Sequence, residues 1–495
     1  MHVRRLPPFA GLGSFLDHLA ANGQVAGIAE PVDLHLEATE IHRRVIAAGG
    51  PGLRFAAPRR DGRSLTIPLV ANLFGTIERV AAGLGTDAGG LGALGKALAW
   101  LRSPPPPADP AEWRRFSPVI RAGLRAGPRR VGGEPRLQDA DADLGALPVQ
   151  TCWPGDAGPL VTWPIVVTRP PGDDRFADYN LGVYRMQVLD DRPGVLRWLP
   201  MRGAAAHHRA WAAAGQDMPV AVVIGADPAT MLAAVMPAPE SVTELSLAGI
   251  VGGRRSAMVP CRTIPLHVPR SAEIVLEGTV SATRTAMEGP FGDHTGYYNS
   301  AEPFPVFSLR HMRMRGAPVY LGTFTGRAPD EPSVIGEALG EVFKPLLLAA
   351  IPDVRDIWLP PATCSYRVAV VAIDKRYPGQ ARRVMMGLWS LLPQFSMTKF
   401  VIVVDEDIDI RCWDDVMWAV ATRSDPSRDL VVVERTPIDH LDFASPLPGL
   451  GGKLGIDATR KIGAETGRTW MEALAMPPDL CARVTARWST FFPDA

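Results

Sequence analysis

The C-terminal third of the chain alternates two kinds of apolar run, and that alternation restricts the fold more than any other feature. Short β-branched runs at Arg367 to Ile373, Phe400 to Val404 and Leu430 to Val433 are separated by helical patterns at Ala381 to Leu392 and Asp414 to Thr422. The order predicts a βαβαβ series, a parallel sheet covered by helices with right-handed crossovers. The middle of the chain reads differently. Val161 to Thr168, Ala221 to Gly225, Ala272 to Gly278 and Phe304 to Leu309 are apolar or alternating runs bounded by Gly, Pro or charged turns, which predicts a β-rich barrel or sandwich. One helix interrupts it, with Asp227 at the N-cap and Pro228 at the first helical position before Ala229 to Val235. At the start, Ser14 ahead of Phe15, Leu16 and Leu19, and Glu37 to Ala48 ending at Gly49-Gly50, predict two short helices of an α/β module. Pro104 to Pro107 and then Pro110 cannot continue a helix and mark a stiff connection.

Length and charge bound the setting. With 495 residues, 46% of them hydrophobic, the chain can bury large cores and divides into roughly three domains. Lys plus Arg and Asp plus Glu are each 52, so no global charge draws the chain to nucleic acid. A local basic stretch, Arg114, Arg115, Arg121, Arg125, Arg129 and Arg130, suits a solvated linker, a subunit contact or anionic lipid. Five separated cysteines without a CxxC pair fit a reducing cytosol. Asp17 and His18 break the apolar stretch behind Arg4 and Arg5, so neither a signal peptide nor a spanning helix is expected, and peripheral contact with the inner face of the cell membrane stays open.

Chemistry concentrates in a few segments. Glu288-Gly-Pro-Phe-Gly-Asp293-His-Thr-Gly-Tyr-Tyr-Asn299 sets two carboxylates around a Gly/Pro-rich bend, where Gly289, Gly292 and Gly296 offer unusual backbone conformations. The pair reads either as a polar turn between strands or as an acid and a base in unequal surroundings. Asp178-Tyr-Asn180-Leu-Gly-Val-Tyr-Arg185 ends in a guanidinium suited to a two-point carboxylate clamp, and Asn180 offers an amide oxygen to a hard cation; a half-buried strand is the plainer reading. Arg197-Trp-Leu-Pro-Met-Arg202-Gly203 could approach a phosphate or simply pack. Gly326 to Pro332 is a charged turn that could line a site or join subunits. P-loop, Gly-x-Ser-x-Gly and His-Glu-x-x-His patterns are absent from the sequence.

Taken in order, these segments resemble the UbiD family of prenylated-FMN-dependent decarboxylases. The resemblance runs from Pro31 to Glu37 through Ala71 to Gly75, Thr151 to Pro154, Asn180 to Arg185, Ile224 to Pro228, Glu288 to Asn299 and Thr325 to Pro332, then Lys399 to Val403, Asp442 to Pro446 and Gly451 to Thr459. It covers nearly the whole chain. The family implies an N-terminal α/β domain (1–120), a central split β-barrel that binds the flavin (121–320) and a C-terminal α/β domain used in oligomerisation (321–495). It implies non-oxidative decarboxylation of a 3-polyprenyl-4-hydroxybenzoate to a 2-polyprenylphenol in ubiquinone biosynthesis, in the cytoplasm, by a homo-oligomer such as a hexamer, with a flavin prenyltransferase as the cofactor source. By the same resemblance Arg185, Glu288 and Asp293 form the catalytic triad, Asp293 being the proton donor with a raised pKa. Asn180 and Glu244 match the ligands of a Mn or Mg ion beside the cofactor phosphate. Val183, Tyr184, Arg185, Arg197, Trp198, Leu199, Arg202 and Gly203 match flavin-binding positions, and Lys399 matches a phosphate contact. Two departures stand out. Met201 replaces a histidine that contributes to the metal site in relatives, with His207 and His208 as nearby substitutes, and Ala328 replaces a frequent proline. Alternatives are the same chemistry on another aromatic or heteroaromatic acid, a prenylated-FMN-binding protein with impaired catalysis, and a conventional flavin oxidoreductase.

Overall fold

The computed structural model describes residues 4–102, 110–124, 126–133, 136–237, 242–364, 366–391 and 395–492; Pro104 to Pro107 and Arg125 lie outside the described residues. The middle region forms a nine-stranded sheet whose main path runs Leu160–Val161, Met186–Val188, Pro193–Leu196, Glu302–Arg315, Ile274–Glu288, Met218–Ile224, Pro164–Thr168 and Asn180–Val183, with Leu137–Ala140 paired to Glu302–Arg315. Its curvature follows from two short links. Asn180–Val183 lies at one end of the path and Met186–Val188 is second from the other, so six strand spacings would separate them by roughly 29 Å in a flat sheet. Only Tyr184 and Arg185 join them, a span of roughly 11 Å at full extension. Thr162 and Trp163 impose the same closure on Leu160–Val161 and Pro164–Thr168. The sheet therefore curls until its ends meet as a split barrel, and Arg185 sits on the seam.

The apolar runs that predicted these strands are continuous because both faces are covered. Ile165, Val167, Ala221 and Val223 join a core with the helices Leu12–Ala21, Ile77–Gly83 and Leu91–Arg102, whereas Val166, Val220 and Val222 join a second core with Leu53, Phe55 and Tyr320. The N-terminal module is a sheet in which Val25–Asp33 runs parallel to Gly52–Arg60 through the crossover helix Glu37–Ala47. Ser14 is not a cap: its hydroxyl accepts from Gly11 N at 3.2 Å inside the first turn of the Leu12–Ala21 helix. Asp227 does cap its helix, Pro228–Ala233.

The chain recrosses between regions after the barrel. Tyr320–Leu321 pairs with Leu69–Ala71 in the N-terminal sheet, and the helix Glu331–Ala350 packs Ile335, Ala338, Leu339, Val342 and Phe343 into the N-terminal core. In the C-terminal sheet, Val368–Ile373, Phe400–Asp405 and Leu450–Ala458 are parallel neighbours, with Gln380–Leu391 and Trp413–Arg423 among the connecting helices. The third parallel strand is thus Leu450–Ala458. Leu430–Pro437 is an antiparallel edge strand on it, with alternate residues facing solvent and Val432 67% exposed. A run of four apolar residues looks like a buried parallel strand, but one face of this edge is uncovered. Among the described residues no helix is long and apolar enough to cross a membrane, and the five cysteines are free.

The Asp330 carboxylate accepts from Ser333 N at 2.9 Å and from Gly326 N at 3.0 Å, capping the bridging helix from a buried position. Asp330→Ala should destabilise the fold by about 1–2 kcal/mol, read as a lower denaturant midpoint; an unmoved midpoint would refute the cap's weight.

Candidate active site

The barrel seam brings Arg185 against the end of the long strand Ile274–Glu288 and the loop beyond it. Arg185 Nε donates to Glu288 Oε1 at 2.7 Å and Nη2 to Glu288 Oε2 at 3.3 Å, while Nη1 donates to Asp293 Oδ2 at 2.7 Å and Nη2 to Asn299 Oδ1 at 2.8 Å. Glu288 is fully buried and takes a second guanidinium, Arg197 Nη1, at 2.8 Å. Burial works against the charge of Arg185, but Asp293 and Glu288 outweigh it and raise its pKa. Four of the five guanidinium donors are engaged. The fifth, on Nη1, faces no acceptor among the described residues.

The loop is held by side chains on both sides. Phe291 N donates to Asn299 Oδ1 at 2.9 Å, Gly289 N to Gln187 Oε1 at 3.0 Å, and Asp293 N to Tyr297 O at 3.0 Å. Gly289 and Gly296 have positive φ, 87° and 80°, as a tight bend requires. Gly292 is needed for a different reason than conformational freedom: a Cβ there would lie 2.2 Å from Trp153 Cδ1. Asp156 locks this approach, accepting from Gly292 N at 2.9 Å through one oxygen and from Cys152 N and Trp153 N at 3.0 and 2.8 Å through the other. Trp153 Nε1 in turn donates to Thr325 O at 2.8 Å.

The electrostatics of Asp293 reverse the expectation of a raised pKa. Burial pushes it up, but the hydrogen bond from His294 and the charges of Arg185 and His294 outweigh burial and hold it at about 2. The negative charge of Glu288 does not raise it, because that charge is met by Arg185 and Arg197. His294 Nδ1 lies 2.8 Å from Asp293 Oδ1, and its Nε2 lies 3.3 Å from Asp439 Oδ2, too oblique for a hydrogen bond. Burial opposes the imidazolium, yet the two carboxylates raise its pKa to about 10. The contacts continue outward: Asp439 to Arg367 at 3.1 Å, Arg367 to Asp442 at 3.3 Å, and Asp442 to Lys399 at 3.0 Å. On the other side Arg197 reaches Glu302 at 3.3 Å, and Glu302 reaches His440 at 3.3 Å. Positive and negative groups thus alternate from the barrel into the C-terminal region.

A second locus surrounds Asn180. The helix Gly203–Ala213 starts against it, since a Cβ on Gly203 would lie 2.2 Å from Asn180 Oδ1. Glu244, at the start of the helix Glu244–Gly252, accepts from Leu181 N at 3.3 Å; burial raises its pKa and no cation pairs with it among the described residues. The half-buried Glu244 carboxylate, without a cation partner among the described residues, and the amide oxygen of Asn180 are hard oxygen donors of the kind that suit a divalent ion. Among the described residues no three His, Cys, Asp or Glu side chains cluster as ligands. His207 bonds Thr168 Oγ1 at 2.9 Å, next to Asn180 across the strand pair; His208 turns to Ser281 O at 2.9 Å, and Met201 is 63% exposed.

Tyr184 and Trp198 are buried edge-to-face at 6.2 Å, with Val183 and Leu199 half-buried beside them and Arg202 exposed at the helix start. Arg197 and Lys399, expected at the cofactor, have carboxylate partners, Glu288 with Glu302 and Asp442 respectively. Asp156, His294, Asn299 and Asp439 were not singled out from the sequence. His294 and Asn299 lie inside the Glu288 to Asn299 motif, Asp156 lies two residues beyond Thr151 to Pro154, and Asp439 is legible only from its position in space.

Models described as the 3-octaprenyl-4-hydroxybenzoate carboxy-lyase N-terminal, Rift-related and C-terminal domains match residues 16–98, 129–328 and 333–458. The chain belongs to the UbiD family. UbiD-family enzymes are carboxy-lyases, and the fold agrees. The UbiD-class enzyme HmfF from Pelotomaculum thermopropionicum, solved in complex with FMN, is 28% identical over 97% of this chain and 100% of its own, with a TM-score of 0.78. The vanillic acid decarboxylase of Sedimentibacter hydroxybenzoicus in closed form is 24% identical over 98% of each chain, TM-score 0.81. The 3,4-dihydroxybenzoic acid decarboxylase of Enterobacter cloacae is 20% identical over 97% of this chain and 100% of its own, TM-score 0.75. These two share the UbiD fold.

Two outcomes follow from this geometry. Asp156→Ala should speed amide exchange at Cys152, Trp153 and Gly292, because three N–H groups lose their acceptor; unchanged protection in exchange mass spectrometry would remove Asp156 from this role. The His294 pKa is raised from 6.5 to about 10, so its stabilising contribution is full below 6.5 and is lost as pH climbs toward 10. Urea unfolding at both ends of that window should show a decline that His294→Gln flattens; parallel declines would contradict it.

Proposed function

We propose that the chain is a prenylated-FMN-dependent decarboxylase that converts a 3-polyprenyl-4-hydroxybenzoate to a 2-polyprenylphenol in ubiquinone biosynthesis. The observation that carries this reading is Arg185 at the barrel seam, joined to both Glu288 and Asp293 with one donor left over. The descriptions of all three matching domain models support the polyprenyl substrate. The second reading is the same reaction on another aromatic acid, favoured by relatives named for vanillic and 3,4-dihydroxybenzoic acids on the same fold.

Loss of carbon dioxide from an aromatic ring leaves charge that the ring stabilises poorly, and each ~1.4 kcal/mol of unrelieved barrier slows the step tenfold. Prenylated FMN, when bound, supplies the electron sink. Val183, Tyr184, Arg185, Trp198, Leu199, Arg202 and Gly203 would line its site, with Arg197 and Lys399 released from or sharing their carboxylates, and Asn180 and Glu244 would hold Mn²⁺ or Mg²⁺ at its phosphate. The free Nη1 donor of Arg185 meets the substrate carboxylate. Glu288, clamped by Arg185 and Arg197, fixes the guanidinium plane and keeps its charge paired in the buried site. Asp293 delivers the proton that replaces carbon dioxide. It must first take one up, and a substrate carboxylate that draws Arg185 away from Asp293 would favour that uptake. The exposed Met417, Trp418 and Val432 of the C-terminal region suit a homo-oligomer contact.

Protein from cells that make the prenylated flavin should release carbon dioxide from polyprenylated 4-hydroxybenzoates faster than from unprenylated acids; the opposite order would select the second reading, and release from no acid would sink both. Asp293→Asn should keep the flavin and lose turnover on the order of a hundredfold, with normal turnover removing Asp293 from the donor role. Glu244→Gln should lower the metal content that survives a chelator, and unchanged content would displace Glu244 as a ligand.

A further inference from the structure

Each turnover of the proposed decarboxylation consumes one proton, and Asp293 stands as an anion clamped by two cations. The proton must come from a neighbour. Among the described residues Asp293 Oδ1 faces one group that carries an exchangeable proton and can lose it, the His294 ring at 2.8 Å; its other oxygen faces Arg185, which does not give up a proton. His294 is held between two carboxylates, Asp293 on Nδ1 and Asp439 on Nε2 at 3.3 Å, and its side chain is 22% exposed while Asp293 and Asp439 are nearly covered. Asp439 is itself fixed: Leu441 N donates to Oδ1 at 3.0 Å, and Arg367 Nη2 to Oδ2 at 3.1 Å. Among the described residues, the other titratable groups near the ring are Tyr366, whose hydroxyl is 3.5 Å from Asp439, and Asp330.

We propose that His294 is the proton relay that reloads Asp293, and that Asp439, from the C-terminal region, is a positioning residue that keeps the ring charged and its Nδ1 aimed at the donor. The inference rests on the decarboxylase reading. When the substrate carboxylate draws Arg185 Nη1 from Asp293, the Nδ1–H bond of His294 breaks and an O–H bond forms on Asp293 Oδ1. That O–H bond breaks as the new ring C–H bond forms, the carboxylate leaves as carbon dioxide, and His294 regains a proton from water at its exposed edge. No oxidant or reductant enters, and the net uptake is the one proton that the reaction requires. Arg367 keeps Asp442 as a partner when Asp439 is neutralised, at 3.3 Å, so the substitution leaves no cation stranded.

The test compares wild type with Asp439→Asn, Asp439→Glu and His294→Gln. In histidine-labelled protein without cofactor or substrate, the His294 resonance, assigned by its loss in His294→Gln, should titrate near pH 10 in wild type. Its midpoint should fall by about one to three units in Asp439→Asn and recover in Asp439→Glu. In the loaded enzyme the alkaline limb of kcat should move to lower pH in Asp439→Asn with KM unchanged, and the solvent isotope effect on kcat should grow in His294→Gln. An unmoved His294 midpoint, or an unmoved alkaline limb with an altered KM, overturns the relay. Wild type that releases no carbon dioxide from any acid counts against the decarboxylase reading alone, because the resonance titration needs no turnover.

Discussion

The site depends on one guanidinium placed where the barrel fails to close. A two-residue link ties strands six spacings apart along the sheet path, so Tyr184 and Arg185 are pinned in position by chain connectivity as well as by contacts. A side chain on such a link cannot drift without unravelling the curl. Arg185 uses that rigidity to hold Glu288 from the end of a strand and Asp293 from the loop beyond it. Preorganisation of this kind lets a charged site act without first rearranging.

Burying so many charges is expensive unless each is matched. Breaking one partner of a buried pair typically costs about 3–5 kcal/mol, because it strands the other. Here the matching is a chain: Glu302, Arg197, Glu288, Arg185, Asp293, His294, Asp439, Arg367, Asp442 and Lys399 alternate in sign. Its inner members are covered and its ends half-exposed. A change at one link alters the charge balance of the next, and His294, which contacts both Asp293 and Asp439, ties the C-terminal region to the Asp293 carboxylate.

The neighbourhood of Asn180 follows the opposite rule. Glu244 is half-buried, with backbone donors and no cation partner among the described residues. Gly203 lets the start of a helix approach the Asn180 amide oxygen, where any side chain would collide. The charges around Arg185 are paired with one another, whereas the Glu244 carboxylate meets only backbone N–H groups among the described residues.

Sequence by itself determined the element types, because apolar periodicity and turn residues act over a few neighbours: the barrel strands, the helix capped by Asp227 and the alternation after Arg367 are all legible in it. The motifs also placed Arg185, Glu288 and Asp293 in one family pattern. Other features needed the folded chain. The edge position of Leu430–Pro437 depends on what fails to cover one face, and the need for glycine at 292 depends on Trp153, which approaches from far along the chain. The charge state of Asp293 depends on His294 and on Arg185 from a distant link between strands. Local propensity is carried by consecutive residues, whereas burial, close approach and electrostatic balance arise between distant ones, so only tertiary structure decided how the carboxylates would differ.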